Sequence, residues 1–301
     1  MLVLSGKELS SIVKTQVAAG TSAFEKRFSR RPCLAVVLVG ENPASLTYVR
    51  NKHKGCQEVG FDFRDCNFPA DISQKTLLEC VAELNADPTV DGILVQMPLP
   101  KHLDELAVTD AILPEKDVDG FHPVNIGRLL LGQRSMIACT PKGILKILDY
   151  YNIETAGRDV CIMGRSNIVG KPMAALLMQR DRNSTVTVVH TKTIDVASYT
   201  RKADIIIAAV GKVNALTADM VKDGAVVIDV GINRVPDASK KSGFALKGDV
   251  DYEGLSSKVG AITPVPGGVG PMTIAMLMEN TLTAACWREG IDISDVMEKN
   301  R

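Results

Sequence analysis

A tyrosine and a lysine stand four residues apart in a segment whose composition predicts a helix. Tyr48 and Lys52 fall within residues 42–60, NPASLTYVRNKHKGCQEVG, and Gly60 is a typical residue at which a helix ends. This spacing places both side chains on one helix face. The tyrosine can stack or donate a hydrogen bond, and a lysine whose pKa is lowered by partial burial can transfer protons. Taken alone, such a pair is more often a coincidence of the helix surface.

Two further polar positions support a site. Gln96 interrupts the apolar run GILVQMPLP, residues 92–100, and the prolines after it indicate the wall of a site at the carboxyl end of a strand. The segment KDVDG, residues 116–120, offers Asp117 and Asp119 as partners for a polar heterocycle. Turn formation or helix capping is the competing interpretation, and it is the stronger one for Asp117.

The segment RDVCIMGRSNIVGKPMAALL, residues 158–177, has the order strand, glycine turn and helix that is typical of dinucleotide binding. Gly164, Ser166 and Gly170 occupy the turn, where backbone N–H groups and the helix N-terminus can face a pyrophosphate. The pattern is one residue longer than G-x-G-x-x-G, and by itself it also fits an ordinary α/β turn. A clean strand before it and three predicted strands after it favour the nucleotide.

The end of the next strand favours one cofactor. It reads His190, Thr191, Lys192 and lacks the carboxylate that usually binds the ribose 2′-OH of NAD. Arg165, inside the turn, together with Thr191 and Lys192 predicts a pocket for a 2′-phosphate and hence NADP. The alternative is that both cations are only solvated, and His190 could equally have no ligand role.

A proline- and glycine-rich loop is the last unusual segment. Residues 264–271 hold three prolines and three glycines, which predicts a rigid loop with exposed backbone. Such a loop can lie against a ligand at the start of the final helix, or it can be a stiff connection between domains.

Alternating strands and helices position these residues. Strands are predicted at 33–40, 61–68, 91–100, 158–164, 185–190, 203–211 and 224–232. Helices are predicted at 7–28, 42–60, 73–87, 101–116, 139–151, 168–180 and about 272–289, with Thr140 as the N-cap of the fifth. This order predicts an α/β fold with parallel strands in two domains that meet near residues 140–155.

Composition excludes several classes of function. Among 301 residues the basic and acidic side chains number 35 each, which argues against bulk binding to nucleic acid or to an anionic membrane. Aromatic residues make up only 4%, too few for stacking platforms. Seven scattered cysteines without C-x-x-C argue against a disulfide framework or a metal site and indicate a reducing compartment. With neither signal peptide nor long apolar run, we expect a cytoplasmic protein.

Motifs spread over nearly the whole chain resemble the family of bifunctional methylenetetrahydrofolate dehydrogenase/methenyltetrahydrofolate cyclohydrolase enzymes. The matching strings, in the family's order, are LSGKELS (4–10), YVRNK (48–52), GILVQMPLP (92–100), PEKDVDGFHPVNIG (114–127), CTPKGI (139–144), GRSNIVGKP (164–172), VIDVGIN (227–233), GDVDY (248–252) and TPVPGGVGPMT (263–273). No single string is decisive, but the combination is highly specific.

The resemblance implies two domains with a cleft between them. Residues 1–145 would form an α/β catalytic and folate-binding domain, onto which a C-terminal helix, 272–301, packs back, and residues 146–271 would form a Rossmann-like NADP-binding domain. It implies oxidation of 5,10-methylenetetrahydrofolate by NADP+, then hydrolysis of the methenyl product to 10-formyltetrahydrofolate. It also implies a homodimer that pairs through the nucleotide domain.

Site residues follow from the same resemblance. Lys52 matches the catalytic lysine, chiefly for the cyclohydrolase step, and Tyr48 matches the tyrosine that packs on the folate. Gln96 matches the glutamine that tunes the lysine, and Asp119 matches the carboxylate that grips the pterin. Further folate contacts would be Val95, Met97, Pro266, Gly267, Gly268, Val269 and Gly270. Cofactor contacts would be Gly164, Arg165, Ser166, Thr191 and Ile232, with Thr191 standing where relatives often have serine.

Other functions remain open from the sequence. A two-domain NADP dehydrogenase similar to shikimate dehydrogenase could use Lys52 and Asp119, but it would need neither Tyr48 nor Gln96. A non-catalytic NADP-binding regulator would not need the four polar residues together. A dehydrogenase that has lost the cyclohydrolase step would not need to retain Lys52.

Overall fold

A computed structural model of the chain describes residues 1–240 and 243–297. They form two compact units. The N-terminal unit consists of Ser11–Cys139 together with the chain from Ile274 onward, and the C-terminal unit consists of Met1–Ser10 with Thr140–Thr273. Each unit is therefore built from two separate stretches of sequence.

The limits of these units differ from the predicted domain limits in three places. Residues 1–10 and residues 140–145 lie in the C-terminal unit, whereas the prediction assigned them to the domain 1–145. Residues 272–273 also lie in the C-terminal unit, whereas the prediction assigned them to the helix that packs on the catalytic domain. Of the predicted C-terminal helix, residues 298–301 lie outside the described part of the chain.

Strands and helices alternate along most of the chain. The strands are β1 (Leu2–Val3), β2 (Cys33–Val39), β3 (Asp62–Phe68), β4 (Gly92–Val95), β5 (Asp159–Met163), β6 (Thr185–Val189), β7 (Ile205–Ala208), β8 (Val226–Asp229), β9 (Asn233–Pro236), β10 (Phe244–Lys247) and β11 (Ala261–Ile262). The helices are α1 (Gly6–Phe28), α2 (Pro43–Val59), α3 (Gln74–Ala86), α4 (Glu105–Ala111), α5 (Pro123–Leu130), α6 (Cys139–Tyr150), α7 (Gly170–Leu177), α8 (Val196–Thr200), α9 (Tyr252–Leu255) and α10 (Val269–Arg288). Short 3-10 turns lie at Ala218–Met220 and Ile293–Asp295.

The sheet of the N-terminal unit is parallel, with the strand order β3-β2-β4. All of β2 is buried, as its aliphatic run predicts for a central parallel strand. Helix α2 follows β2 directly. At its start, two backbone N–H groups donate to the Asn42 side chain. At its end, Gly60 adopts the left-handed conformation with a φ of 79°. Apolar residues of α3, among them Leu77, Val81 and Leu84, pack in the core beneath this sheet.

The larger sheet of the C-terminal unit is also parallel, with the order β1-β11-β8-β7-β5-β6. From β5 the chain passes to β6 on one side and then to β7 on the other. The strand order therefore reverses between β5 and β7, and such a switch point opens a ligand-binding crevice at the carboxyl ends of the strands. Strands β9 and β10 form a separate antiparallel pair.

The predicted α/β fold with parallel sheets is confirmed, but some local assignments were wrong. Strand β4 ends at Val95 rather than at residue 100, because Pro98 and Pro100 cannot donate to a ladder. Helix α5 lies partly in the predicted loop 116–125, and the His122 side chain caps its first turn. Helix α6 already includes Cys139, so Thr140 is not its N-cap.

No helix within residues 1–240 and 243–297 is long and apolar enough to cross a membrane.

Candidate active site and nucleotide-binding edge

The Lys52 side chain meets Gln96 within the N-terminal unit. Lys52 Nζ donates a hydrogen bond of 2.8 Å to Gln96 Oε1. Gln96 follows the last residue of β4, its side chain is buried, and its Nε2 donates to Met97 O at 2.6 Å. Its own backbone N–H donates to Val37 O at 2.8 Å. Both ends of the Gln96 amide are therefore fixed, and its carbonyl oxygen is directed at the lysine.

Asp119 reaches the same edge of the sheet by a different route. Residue 117 forms a parallel bridge with Ile93 of β4, and Ile93 N donates to Lys116 O at 2.7 Å. The segment 117–119 thus runs beside β4 toward its carboxyl end. A Cβ at Gly120, which has a φ of 77°, would lie 2.5 Å from Ala138 N. Only glycine therefore allows the two backbones to approach this closely after Asp119.

Lys52 and Asp119 shift each other's proton affinity. Burial lowers the pKa of the Lys52 ammonium, and the negative charge of Asp119 opposes that shift. Burial raises the pKa of the Asp119 carboxyl, and the Lys52 charge opposes that shift while Asp117 adds to it. Each group therefore reaches its neutral form more readily than the free side chain does, which suits proton transfer.

Asp117 has a structural role. Its buried carboxylate accepts hydrogen bonds from Gly120 N at 3.1 Å, His122 N at 2.8 Å and Asn125 Nδ2 at 2.9 Å. These contacts fold the turn that follows Asp119. The interpretation of Asp117 as a turn-forming residue is confirmed.

Tyr48 lies on α2, one helical turn before Lys52. Its side chain is 45% exposed, so a large part of the ring is accessible to a ligand. Val95 is buried at the end of β4, and Met97 is half-buried beside Gln96. The structure thus brings Lys52, Gln96 and Asp119 together, and it places Tyr48 on the same helix.

Two residues that the sequence analysis did not select also support this site. The Cys139 thiol donates to Val118 O at 3.4 Å and hydrogen-bonds the Asp119 carboxylate. Asn280 of α10 is buried, and its Nδ2 donates to Val118 O and Ile137 O, both at 2.9 Å. Asn280 therefore ties together the two backbone segments that carry Asp119 and Cys139. Local spacing gives no signal for Asn280, because it lies far from both segments in sequence.

The glycine turn of the C-terminal unit lies at the switch point. Gly164 has a φ of 116°, and a Cβ there would lie 2.2 Å from Ala209 O at the end of β7. A Cβ on Gly170 would lie 2.3 Å from Gly164 O. Ser166 Oγ accepts from Val169 N at 3.2 Å and Gly170 N at 3.4 Å, which fixes the turn that leads into α7. Both glycines are required for the close passage of backbone on which dinucleotide turns depend.

The residues predicted to bind the 2′-phosphate lie in the loops that follow two neighbouring strands, β5 and β6. Gly164 N donates to Val189 O at 2.8 Å, so the turn after β5 borders the end of β6. Arg165, Thr191 and Lys192 are all exposed there. His190 Nδ1 accepts from Lys192 N at 3.2 Å and so shapes the loop.

The proline- and glycine-rich loop lies in the C-terminal unit, where it packs on the start of α1. Lys7 N donates to Gly267 O at 2.9 Å, and a Cβ at Gly6 would lie 1.8 Å from Gly268 O. A Cβ at Gly270 would lie 3.4 Å from Ile232 Cδ1, and Ile232 itself is 47% exposed. Ile232, a predicted cofactor contact, therefore lies next to Gly270, a predicted folate contact, within the C-terminal unit.

Comparison with known families identifies the chain. The model of the tetrahydrofolate dehydrogenase/cyclohydrolase catalytic domain matches residues 4–119, and the model of the NAD(P)-binding domain of the same enzymes matches residues 138–289. The chain belongs to the tetrahydrofolate dehydrogenase/cyclohydrolase family. The two matches fall mainly on the N-terminal and the C-terminal unit, respectively.

Individual members of this family are similar over almost the whole chain. A Bifunctional protein FolD from Chlorobium phaeobacteroides is 56% identical over 286 residues, which are 94% of this chain and 97% of the relative. The crystal structure of the bifunctional enzyme FolD from Campylobacter jejuni is 48% identical and has a TM-score of 0.91, covering 96% of this chain and 99% of that one. The Trypanosoma brucei enzyme, complexed with NADP cofactor and an inhibitor, is 37% identical with a TM-score of 0.90, covering 94% and 97%.

Membership of the tetrahydrofolate dehydrogenase/cyclohydrolase family confirms the predicted function. The chain is a bifunctional folate enzyme with methylenetetrahydrofolate dehydrogenase and methenyltetrahydrofolate cyclohydrolase activities. The alternative of a dehydrogenase similar to shikimate dehydrogenase is not supported. Among the described residues there is no group of three or more His, Cys, Asp or Glu side chains that could hold a metal ion.

Proposed function

We propose that Lys52 is the acid–base group of the cyclohydrolase reaction, with Gln96 and Asp119 setting its position and proton affinity. The observation that carries the proposal is the 2.8 Å hydrogen bond from Lys52 Nζ to Gln96 Oε1, made by an ammonium whose pKa is lowered by burial. A lysine with a lowered pKa gives up its proton more readily than an exposed lysine does, so it can both accept and return a proton during a reaction.

Hydrolysis of the methenyl group needs three proton movements. Water adds to the cationic carbon between the two nitrogens and loses a proton. One carbon–nitrogen bond then breaks as that nitrogen gains a proton, and the remaining hydroxyl proton is released to solvent as the formyl C=O forms, so that one proton is released overall. Neutral Lys52 takes the proton from water, and the resulting ammonium returns one to the leaving nitrogen, so the lysine is regenerated. Gln96 accepts a hydrogen bond from the amine and directs it, and Asp119 stabilises the charged form.

Oxidation of methylenetetrahydrofolate makes a smaller demand on acid–base groups. Loss of hydride from a carbon between two nitrogens leaves a delocalised cation, so the protein must chiefly align the substrate. Bound NADP+ supplies the hydride acceptor. In this proposal Asp119 binds the pterin and Tyr48 packs on it. The other proposed folate contacts are Val95, Gln96, Met97, Pro266, Gly267, Gly268, Val269 and Gly270.

The nucleotide-binding edge fits NADP. A Cβ on Gly164 or on Gly170 would fill the turn that a pyrophosphate approaches, and the N-terminus of α7 opens onto that turn. Arg165 and Thr191 lie exposed on adjoining loops, where they could bind a 2′-phosphate. Ser166 and Ile232 are the remaining proposed contacts. The Trypanosoma brucei relative, described as complexed with NADP, supports the same choice.

Replacement of Lys52 tests the proposed function. Lys52→Gln should reduce cyclohydrolase activity by at least about 100-fold, the scale of lost acid–base catalysis, and spare part of the dehydrogenase activity. The matched control is Lys54→Gln on the same helix, because Lys54 is 74% exposed and pairs only loosely with Glu58 at 3.8 Å. Equal loss of both activities in a folded Lys52→Gln protein would reject the proposal.

We also propose that the enzyme is a homodimer that pairs through the C-terminal unit. Strand β6 lies at the end of the strand order, and apolar side chains are exposed on it and just after it: Val188 at 38%, Ile194 at 90% and Tyr199 at 44%. Exposed apolar groups on a sheet edge are typical of protein interfaces. Light scattering should give twice the mass of the chain, and Ile194→Asp should give a monomer. A monomeric wild type would contradict the proposal.

A cytoplasmic location is proposed on the basis of the cysteines. All seven are free thiols, as expected for a reducing compartment. Cell fractionation should find the protein with cytoplasmic markers, and recovery with a membrane or an exported fraction would contradict this location.

A further inference from the structure

Two motifs that the proposed catalytic residues do not explain meet at the carboxyl edge of the larger sheet. VIDVGIN, residues 227–233, carries Asp229, and GDVDY, residues 248–252, carries Asp249. Both aspartates are buried, with exposed fractions of 3% and 0%. Burial of a carboxylate destabilises the fold unless hydrogen bonds compensate for its lost hydration, so two adjacent buried carboxylates indicate a specific role.

Asp249 binds the loop that follows β7. Its Oδ2 accepts hydrogen bonds from Val210 N at 2.7 Å and Gly211 N at 2.8 Å. Its Oδ1 accepts from Lys212 N at 3.0 Å and from Asn233 Nδ2 at 2.9 Å. Three consecutive N–H groups of the loop after β7 and the side chain of Asn233, the first residue of β9, thus converge on one carboxylate.

Asp229 binds the loop that follows β8 and the backbone of Asp249. Its Oδ1 accepts from Gly231 N and from Asp249 N, both at 2.9 Å, and its Oδ2 accepts from Val250 N at 3.1 Å. The two aspartates therefore form one connected network that spans both loops.

Two glycines show how closely the network is packed. A Cβ at Gly231 would lie 2.2 Å from Asp249 Oδ1, and a Cβ at Gly248 would lie 1.8 Å from Asp229 Oδ2. No larger residue fits at either position without displacing a carboxylate. The glycines of both motifs are thus explained by the carboxylates that they adjoin.

The two loops lie on one particular side of the proposed cofactor. In a dinucleotide site the ribose 2′ substituent lies at the end of the second strand, here β6, and the pyrophosphate lies at the turn after the first, here β5. The other half of the dinucleotide then extends over the ends of β7 and β8. Ile232, a proposed cofactor contact, lies on the loop after β8 that Asp229 and Asp249 hold.

We propose that Asp229 and Asp249 are positioning residues that hold the loops after β7 and β8 in the conformation that receives the nicotinamide half of the cofactor. They act through the backbone N–H groups of these loops and need no contact with the cofactor. The inference rests on the proposed NADP site. It adds that affinity for the nicotinamide half depends on residues that the cofactor does not touch.

The variant Asp249→Asn tests the inference. Each oxygen of Asp249 accepts from two N–H donors, so in either orientation the NH2 group of asparagine would face donors. The KM for NADP+ should rise at least about tenfold, the change expected for one or two lost charge-assisted hydrogen bonds. The Ki of adenosine 2′,5′-bisphosphate, which carries only the other half of the cofactor, should change less than about twofold. Cyclohydrolase activity, which needs no cofactor, should persist.

The matched control is Asp251→Asn. Asp251 lies in the same motif, but among residues 1–240 and 243–297 its carboxylate accepts a hydrogen bond only from Gly254 N, at 3.2 Å, so the KM for NADP+ should not change. Should Asp249→Asn not fold, Asn233→Ala removes one donor to Asp249 and should still raise this KM severalfold.

Three outcomes would overturn the inference. One is an unchanged KM for NADP+ in both the Asp249 and the Asn233 variant. Another is an equal rise of the KM for NADP+ and of the Ki of the bisphosphate in Asp249→Asn. The third is a loss of cyclohydrolase activity as large as the loss of dehydrogenase activity. Both of these outcomes would indicate general unfolding. Failure of the proposed NADP site is distinguishable, because the wild-type enzyme would then show no NADP+-dependent oxidation.

Discussion

Lys52 Nζ lies 2.8 Å from Gln96 Oε1, and the amide that bears this oxygen is itself held by Met97 O. A neutral acceptor in this position directs the lysine but adds no charge. The proton affinity of Lys52 is then set by burial, which lowers its pKa, and by Asp119, which opposes that shift. Charge changes at Gln96 and at Asp119 should therefore move the pH dependence of hydrolysis in opposite directions.

Gln96→Glu should move the cyclohydrolase pH profile upward. A carboxylate beside the ammonium favours the charged form and raises the pKa of Lys52, so neutral lysine is reached only at higher pH. The rising limb of the rate profile should shift by about one pH unit or more. The KM for NADP+ serves as the control, because Gln96 lies in the other unit from the nucleotide edge. A profile that stays in place would contradict the coupling.

Asp119→Asn should move the same profile downward. Without this carboxylate, burial alone acts on Lys52, and the pKa of its ammonium falls further. The KM for methylenetetrahydrofolate should also rise by about tenfold or more, as expected for a lost charged contact to the pterin. Asp65→Asn, an equal charge change at an exposed residue of β3, is the control. An upward shift, or a shift of equal size in the control, would be incompatible with the proposed site.

Arg165→Ala should change cofactor choice. Loss of the guanidinium removes a charge-assisted contact to the 2′-phosphate, so kcat/KM with NADP+ should fall roughly 10- to 100-fold while the value with NAD+ stays nearly constant. Lys240→Ala, at an exposed residue of the β9–β10 connection, removes the same charge and should leave the ratio unaltered. If both variants lower kcat/KM with NADP+ to the same extent, Arg165 contributes only the long-range attraction of its positive charge and makes no specific contact with the 2′-phosphate.

Asp229→Asn should remove the part of the decrease in folding stability with rising pH that comes from deprotonation of Asp229. Burial raises the pKa of Asp229 from 3.8 to about 6, the nearby Asp249 adds to this, and hydrogen bonds from three N–H groups oppose it. Between about pH 4 and pH 6 the native state then binds more protons than the unfolded chain. As pH rises through that window, deprotonation of this carboxyl therefore lowers the free energy of unfolding by about 3 kcal/mol.

The measurement is the melting temperature of wild type and variant across this window. The wild-type value minus the Asp229→Asn value should become smaller as pH increases from about 4.5 to about 7.5, since other titrating groups cancel in the difference. A difference that is constant, or that grows with pH, would show that Asp229 titrates near its ordinary value in the fold.

The features predicted correctly from the sequence are those that depend on neighbours along the chain. The buried strand before Gly164 and the helix after it follow from apolar periodicity and from the glycine. The position of Gln96 at a strand end follows from one polar residue in an apolar run and the prolines behind it. The assignment of Asp117 to a turn rests on its immediate context, since the donors to its carboxylate are Gly120, His122 and Asn125.

The features that escaped prediction depend on residues distant in sequence. Asn280 supports the segment of Asp119 through carbonyls that lie more than 130 residues earlier, and no local pattern signals such a contact. Asp229 and Asp249 belong to recognisable motifs, but their roles require knowing that the ends of β7 and β8 adjoin. Strands of two residues, such as β1 and β11, carry too few side chains for a periodicity.

Strand β1 has a practical consequence for work with isolated fragments. It covers one side of β11 through the pairs Leu2 with Ala261 and Val3 with Ile262. A fragment that starts at residue 140 would leave the β11 edge without its neighbour, and open strand edges promote aggregation. A soluble nucleotide-binding fragment should therefore retain residues 1–10, joined by a linker to a sequence that begins near Thr140.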